Sequence, residues 1–176
     1  MGWLKSAAQW QFIEHGKHPG LMSAVAQIVD EEASSPTSAL LWQKEGSVGK
    51  ACCIEPMLMD EAELSLNRIA RSTQGKERVS FYMFVYKTPC RTCVQKMRSF
   101  VQNTGDYFLY YKLGFCEVYS HPTFGYADLD DFLRNSNLLK DWRIKVFSGG
   151  PVGGARRTND FVWYQTNWYD IHAGAA

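Results

Sequence analysis

Residues 78–93 read RVSFYMFVYKTPCRTC, and this stretch decides how the chain is organised. Its first part, residues 78–87, is an almost unbroken apolar and aromatic run, which is typical of a central strand buried on both faces of a sheet. Pro89 follows and favours the first turn of a helix. Cys90 and Cys93 are three positions apart in that first turn, so both sulfurs can face the same point.

A second half-site lies upstream, in the sequence Cys53-Ile54-Glu55-Pro56. Residues 56–72 have the apolar spacing of a helix, with Pro56 in the first turn. Cys53 and Glu55 are therefore predicted to lie at a helix start. The positive end of the helix dipole favours a thiolate and a carboxylate at that place.

Together the two half-sites supply three sulfur ligands, from Cys53, Cys90 and Cys93. A catalytic zinc site uses three protein ligands and keeps a fourth position for water. The sequence therefore predicts a Zn²⁺ site in which Glu55 moves the protons of that water. One alternative stays open: Cys52 would complete a closed structural site of four cysteines, and Glu55 would then have no role.

The pattern C-x-E…P-C-x-x-C resembles the signature of the cytidine deaminase-like superfamily, in which the glutamate is the general acid and base and not a ligand. Cysteine stands in the usual histidine place, as it does in the small tetrameric cytidine deaminases and in several bacterial toxin deaminases. Cys53 and Cys90 are 37 residues apart, which leaves room for one helix and one strand. The resemblance covers residues 22–147 and implies a three-layer α/β/α fold.

The remaining elements follow from hydrophobic spacing and turn residues. We expect a five-stranded mixed sheet. Helices are predicted over residues 21–33, 56–72, 89–103 and 127–139, and strands over residues 39–42, 47–52, 78–87, 107–119 and 141–147. A helix joins the last two strands, which makes them parallel. In the superfamily this arrangement is typical of tRNA, AID/APOBEC and many toxin deaminases, whereas free-nucleoside enzymes mostly use a hairpin.

Three regions are expected along the chain. Residues 1–20 form an N-terminal extension, residues 21–147 form the deaminase core, and residues 148–176 form a C-terminal extension packed on the core. The last region contains FVWYQTNWYDIH, which is too aromatic for a disordered tail and is expected to form a strand or a helix.

Composition narrows the function classes further. The 176 residues are 45% hydrophobic, enough for a normal core, and the formal net charge of +1 gives no global attraction to nucleic acid. No apolar run approaches a membrane span. Five cysteines without an export signal predict a reducing, cytoplasmic setting. A eukaryotic protein would also fit the nucleus, and a toxin domain would act inside its target cell.

The resemblance implies an enzyme that hydrolyses the C–N bond of cytosine and leaves uracil, most readily in single-stranded DNA or RNA, with DNA slightly favoured. Bases in single strands are held by aromatic stacking. The loop after the fourth strand offers Tyr119, His121, Phe124 and Tyr126 for such contacts. In a toxin, an immunity or regulatory protein would be a further partner.

Arg91 is a further candidate for the site. Three thiolates and one zinc ion leave one formal negative charge, which acidifies water less than a neutral centre does. In the tetrameric cytidine deaminases an arginine directly after the C-A-E motif offsets this charge, but Pro56 stands there in this chain. Arg91, between the two downstream ligands, is expected to offset the charge or to contact the substrate.

Two other functions remain open from the sequence. The first is a deaminase of free cytidine or deoxycytidine, as nucleoside or nucleotide. The second is a catalytically inactive binding protein that uses zinc to stabilise the same fold.

Overall fold

A computed structural model of the chain describes residues 21–30, 38–47, 53–73, 79–151 and 161–169. The strands are β1 (Leu21–Asp30), β2 (Ser38–Ser47), β3 (Val79–Val85), β4 (Phe108–Phe115), β5 (Trp142–Pro151) and β6 (Phe161–Tyr169). The helices are α1 (Ile54–Thr73), α2 (Arg91–Thr104) and α3 (Leu129–Asn135), and a short 3₁₀ turn covers Leu138–Lys140.

One mixed sheet joins the strands in the order β2-β1-β3-β4-β5-β6. β3, β4 and β5 are parallel neighbours, whereas β1 pairs antiparallel with both β2 and β3, and β6 pairs antiparallel with β5. The predicted α/β class and the parallel pairing of β4 with β5 are confirmed. The predicted number of five strands is wrong, because β1, β3, β4 and β5 form the centre and β2 and β6 add one edge each.

The prediction of a first helix over residues 21–33 is also wrong, because Leu21–Asp30 forms β1. Ala24, Ala26 and Ile28 lie on one face of this strand, Val25 and Gln27 lie on the other, and all five are buried. A strand buried on both faces shows no alternation between apolar and polar residues. Apolar residues at helical spacing therefore imitated a helix in this segment.

The predicted hairpin is replaced by a different one. Glu45 and Gly46, where the sequence predicted a turn, lie inside β2 and pair with Ser23 and Met22 of β1. The predicted strand over residues 39–42 is thus part of a longer β2, and residues 48–52 lie outside the described residues.

The elements that carry the two half-sites follow the sequence closely. α1, β3 and α2 match the predicted helix, strand and helix within two residues at each end. The predicted strand over residues 107–119 ends earlier, at Phe115, because the backbone amides of Cys116 and Glu117 both donate to the carbonyl of Tyr86.

The helix after β4 is also shorter than the sequence predicted. The helix expected over residues 127–139 is α3, followed by the 3₁₀ turn. Asp128 caps α3, and its side chain accepts a hydrogen bond from the backbone amide of Asp131.

The core lies between the sheet and the helices, and the described helices all pack on one face. Phe81 of β3 pairs with Tyr111 of β4, so both side chains point to the same side. Phe100 of α2 contacts both rings, and Phe132 of α3 contacts Phe115 on the same face of β4. The apolar residues of α1 belong to the same cluster. The described part of the chain therefore shows two layers, and the helices of the predicted third layer are not among its elements.

The structure describes part of the predicted C-terminal extension but none of the predicted N-terminal one. Residues 1–20 and 170–176 lie outside the described residues. The aromatic segment at residues 161–169 forms β6 and pairs antiparallel with β5, which itself runs on to Pro151. No helix in the described ranges combines the length and the apolar character needed to cross a membrane.

Candidate metal centre

Two helix starts bring the three predicted cysteines together. Cys53 immediately precedes α1, Cys90 immediately precedes α2, and Cys93 lies in the first turn of α2. The sulfur of Cys90 lies 3.6 Å from that of Cys53 and 3.4 Å from that of Cys93. All three sulfurs lie within 4.8 Å of one another.

This arrangement fits a single metal ion. A tetrahedral ion with metal–sulfur bonds of about 2.3 Å places its sulfur ligands about 3.8 Å apart, close to the separations observed. The predicted cluster is confirmed as one that can hold a metal ion. Thiolates suit zinc, copper(I) and iron, so the sulfurs do not by themselves identify the metal.

The start of α2 favours a thiolate at Cys90. The Cys90 sulfur is hydrogen-bonded to the Cys93 side chain and also faces the backbone amides of Cys93 and Thr92; these contacts lower the pKa of Cys90 to about 5. The hydrogen bond to Cys90 and burial raise the pKa of Cys93. Burial likewise raises the pKa of Cys53. A metal binds its sulfur ligands as thiolates, so metal binding would release the protons that Cys53 and Cys93 otherwise hold.

Glu55 lies beside this cluster, in the first turn of α1. Its side chain is buried, and its Oε2 lies 3.5 Å from the sulfur of Cys93, which donates to it. Burial raises the pKa of the Glu55 carboxyl, because a charged carboxylate is less stable away from water. A carboxyl of this kind can both accept and release a proton close to the metal position.

The other cysteines do not change the ligand set that the structure describes. Cys52, the alternative fourth ligand, lies outside the described residues. Cys116 follows the end of β4, is half-buried, and is not part of the sulfur cluster.

The four predicted base contacts lie in a loop after β4, which we call the aromatic loop (residues 119–126). The rings of Tyr119 and His121 are stacked at 6.0 Å with 9° between their planes. His121 and Phe124 are stacked at 5.1 Å with 30° between their planes. Phe124 is 54% exposed, so the stack ends in an open aromatic surface.

Tyr126 has a different environment from the rest of the aromatic loop. It is only 2% exposed, and its ring packs edge-on against Phe132 of α3. Its ring is therefore part of the core and offers no open stacking surface. Contact between any of these residues and a substrate stays a prediction.

The aromatic loop is tightly folded. The amide of Tyr126 donates to the carbonyl of Tyr119, and the amide of Gly125 donates to the carbonyl of His121. The Nδ1 atom of His121 accepts hydrogen bonds from the amides of Thr123 and Phe124 at 3.2 and 3.1 Å. Because Nδ1 accepts both hydrogen bonds, the N–H of a neutral His121 ring is at Nε2.

Arg91 connects the metal helix to this loop. Its backbone amide donates to the carbonyl of Phe124 at 2.9 Å, and its Nε donates to the carbonyl of Gly125 at 3.0 Å. Its guanidinium lies 4.5 Å from the ring centre of Tyr126 and 3.9 Å from a carboxylate oxygen of Asp131. These described contacts of Arg91 go to the loop and to α3, whereas the sequence suggested a role towards the metal charge or the substrate.

Sequence reasoning missed three residues around the site. Gly125 allows a close approach, since an added Cβ would lie 2.2 Å from the carbonyl oxygen of Tyr119. Thr88 is buried, and its hydroxyl accepts from the amide of Tyr119. Asp131 lies at the start of α3 near Arg91. Gly125 between two aromatic residues was a local signal, but the other two depend on contacts between distant segments.

Neither the models of known protein families nor the sequences of curated proteins match this chain.

Proposed function

We propose that this protein is a zinc-dependent hydrolytic deaminase that converts cytosine to uracil in single-stranded nucleic acid. One observation carries the proposal: a buried carboxyl, that of Glu55, lies 3.5 Å from a sulfur of a three-cysteine cluster. Three ligands leave a tetrahedral ion one open position, and a structural site would have no use for an acid beside it.

Glu55 performs the proton transfers in the proposed reaction. Zinc, when bound, supplies the Lewis acid that lets water act as a nucleophile near neutral pH. Glu55 takes a proton from the attacking water and passes it to the ring nitrogen of the base. It then takes the remaining proton of the added hydroxyl and delivers it to the departing amine. The C–O bond forms, the C–N bond breaks, and ammonia leaves with uracil as the other product.

The environment of Glu55 suits this work. Burial raises the pKa of its carboxyl above its ordinary value, which makes the protonated form easier to reach. The amide ends of α1 lie beside the carboxylate and favour its charged form. These opposed influences allow one side chain to act first as base and then as acid.

The fold around the site supports a polynucleotide substrate over a free nucleoside. β4 and β5 are parallel and α3 lies in the connection between them, the arrangement that the resemblance associates with tRNA, AID/APOBEC and toxin deaminases. The exposed end of the stack, Phe124, offers a surface on which a base of a single strand can stack.

The decisive experiment uses single- and double-stranded oligonucleotides that contain cytosine. The zinc-loaded chain is incubated with each, uracil glycosylase then cleaves at any uracil, and sequencing locates the product. Glu55→Gln is expected to lower turnover by about 10²–10⁴-fold while zinc content stays at one ion per chain. Glu61→Gln, a half-exposed carboxyl on the same helix, is the matched control and keeps its activity.

Three outcomes would contradict the proposal in different ways. Deamination of free cytidine without action on oligonucleotides would identify a nucleoside enzyme. Bound zinc without either activity would identify a binding protein. Full activity in Glu55→Gln would show that Glu55 is not the general acid and base.

A further inference from the structure

Arg91 stands between two metal ligands, yet its described contacts run to a different part of the molecule. Cys90 and Cys93 flank it in the turn that opens α2, while its amide and its Nε donate to consecutive carbonyls of the aromatic loop, those of Phe124 and Gly125. Two hydrogen bonds, of 2.9 and 3.0 Å, thus link the turn that carries the metal ligands directly to the loop.

The hydrogen bond from the Arg91 amide to the Phe124 carbonyl pairs an amide that has no partner within its own helix. The first amides of an α-helix have no partner within the helix, and the Phe124 carbonyl supplies one for Arg91. The aromatic loop thus closes the end of α2 that carries the ligands. This contact is made by the backbone and will persist when the side chain is changed.

The second group of contacts needs the arginine side chain. The flat guanidinium stacks over Tyr126 while its Nε reaches the Gly125 carbonyl, a combination that a lysine ammonium cannot reproduce. The ion pair with Asp131 is longer, at 3.9 Å, and the Arg91 side chain is 45% exposed, so this pair contributes little. The directional hydrogen bond and the stacked ring are the contacts that matter.

The aromatic loop is otherwise mostly bonded to itself. Hydrogen bonds join Tyr126 to Tyr119 and Gly125 to His121, and Thr88 provides a further attachment at Tyr119. The Phe124 end of the loop is held to α2 by Arg91. The loop is thus attached at Thr88, at Arg91 and, through the Tyr126 ring, at Phe132, and the attachment at Arg91 is the one that leads to the metal ligands.

We infer that Arg91 is a positioning residue that couples metal binding at Cys90 and Cys93 to the order of the aromatic loop. This inference rests on the metal-binding part of the proposed function and not on deamination. Metal binding fixes the first turn of α2, the fixed turn holds Arg91, and Arg91 holds the loop. By thermodynamic linkage, an ordered loop in turn strengthens metal binding by the same factor.

Hydrogen exchange in the full chain tests this coupling. The metal-free and Zn²⁺-loaded forms are compared by mass spectrometry over peptides that cover residues 119–126. In the unchanged protein, zinc is expected to slow exchange in the loop by about tenfold, the effect of one charge-assisted hydrogen bond. In Arg91→Gln most of this slowing is lost, because only the backbone hydrogen bond to Phe124 remains, although one zinc ion still binds. Arg91→Lys is expected to behave as Arg91→Gln does, because lysine keeps the charge but lacks the flat guanidinium that stacks on Tyr126 while donating to the Gly125 carbonyl.

The matched control is Arg98→Gln, an exposed arginine further along α2. It keeps the full zinc-dependent slowing. Thermal melts of all variants establish that they are folded. If Arg91→Gln kept the slowing seen with Arg98→Gln, the coupling would be wrong and the metal site would stand. If no variant bound zinc, both the coupling and the proposed function would fall.

Discussion

Gly125 lies where the aromatic loop passes closest to itself, and it makes the loop sensitive to a single methyl group. A Cβ at this position would lie 2.2 Å from the Tyr119 carbonyl oxygen and 2.6 Å from the His121 amide nitrogen. Both atoms belong to the backbone, so neither can move aside without opening the loop.

We therefore expect Gly125→Ala to lower the free energy of unfolding by about 1–3 kcal/mol. Urea titration followed by tryptophan fluorescence measures the change. Gly105→Ala is the control, because its Cβ would meet a single carbonyl at 3.1 Å, at a residue with ordinary helical dihedrals. An equal loss in both variants would show that the crowding at Gly125 is not the cause.

The sulfur cluster gives a second prediction for single residues. Replacing Cys53, Cys90 or Cys93 by serine is expected to weaken metal binding by at least about 100-fold, more than the usual effect of losing a residue behind the ligands. Competition with a coloured zinc chelator measures this affinity. Cys116→Ser, a cysteine outside the cluster, is expected to bind one ion as before. Loss of binding in Cys116→Ser would mean that the cluster is assembled differently.

The ligands could be predicted from the sequence because their signal is local. The spacing of Cys90 and Cys93 and the position of Glu55 after Cys53 already fix which side chains share a helix start. The burial of Tyr126 could not be predicted in this way. An aromatic residue in a loop is a good candidate for substrate contact until its neighbour is known, and that neighbour, Phe132, comes from another element.

At the level of elements, the packing of α1 on α2 sets the distance between the two half-sites. Two neighbouring residues of α2 contribute in different ways. Lys96 pairs with Asp60 of α1 at 2.6 Å in a partly exposed ion pair. Met97 is fully buried in the core. Exposed ion pairs contribute little, whereas buried apolar side chains contribute much.

We predict that Met97→Ala lowers the free energy of unfolding by about 2–5 kcal/mol and also weakens metal binding. Lys96→Ala is the matched variant and is expected to cost less than about 1 kcal/mol, with metal affinity unchanged. Denaturant melts and metal competition give the two quantities. A larger loss for Lys96→Ala would show that the ion pair holds the helices together.

The success of sequence reasoning also differs between elements. β3 was predicted correctly because its apolar run is long and bounded by Pro89 and a polar segment. β1 was mistaken for a helix because both of its faces are covered, so that Gln27 on one face and Ala26 on the other are both buried. Which faces of a strand are covered depends on how other strands and helices pack against it, so this cannot be predicted from the sequence of that strand alone.

For the whole molecule, bound metal is expected to add stability by mass action. With free zinc about 100 times above the dissociation constant, the native state gains ~2.7 kcal/mol. In a chain of this length that corresponds to a rise in melting temperature of about 5–10 °C. A chelator should reverse the rise in the unchanged protein. It should have no effect on a Cys90→Ser/Cys93→Ser variant, and an equal effect there would place the metal elsewhere.

The position of β3 between β1 and β4 has a consequence for how the ion is captured and lost. Cys53 precedes this strand in the chain and Cys90 follows it, so β3 lies within the chain segment that a bound ion would close into a loop. The edge strands β2 and β6 carry none of the three sulfurs, and fraying at either edge leaves the chelate intact. We therefore expect zinc release, followed with a dye that captures the ion, to accompany loss of the central strands and not fraying at the edges.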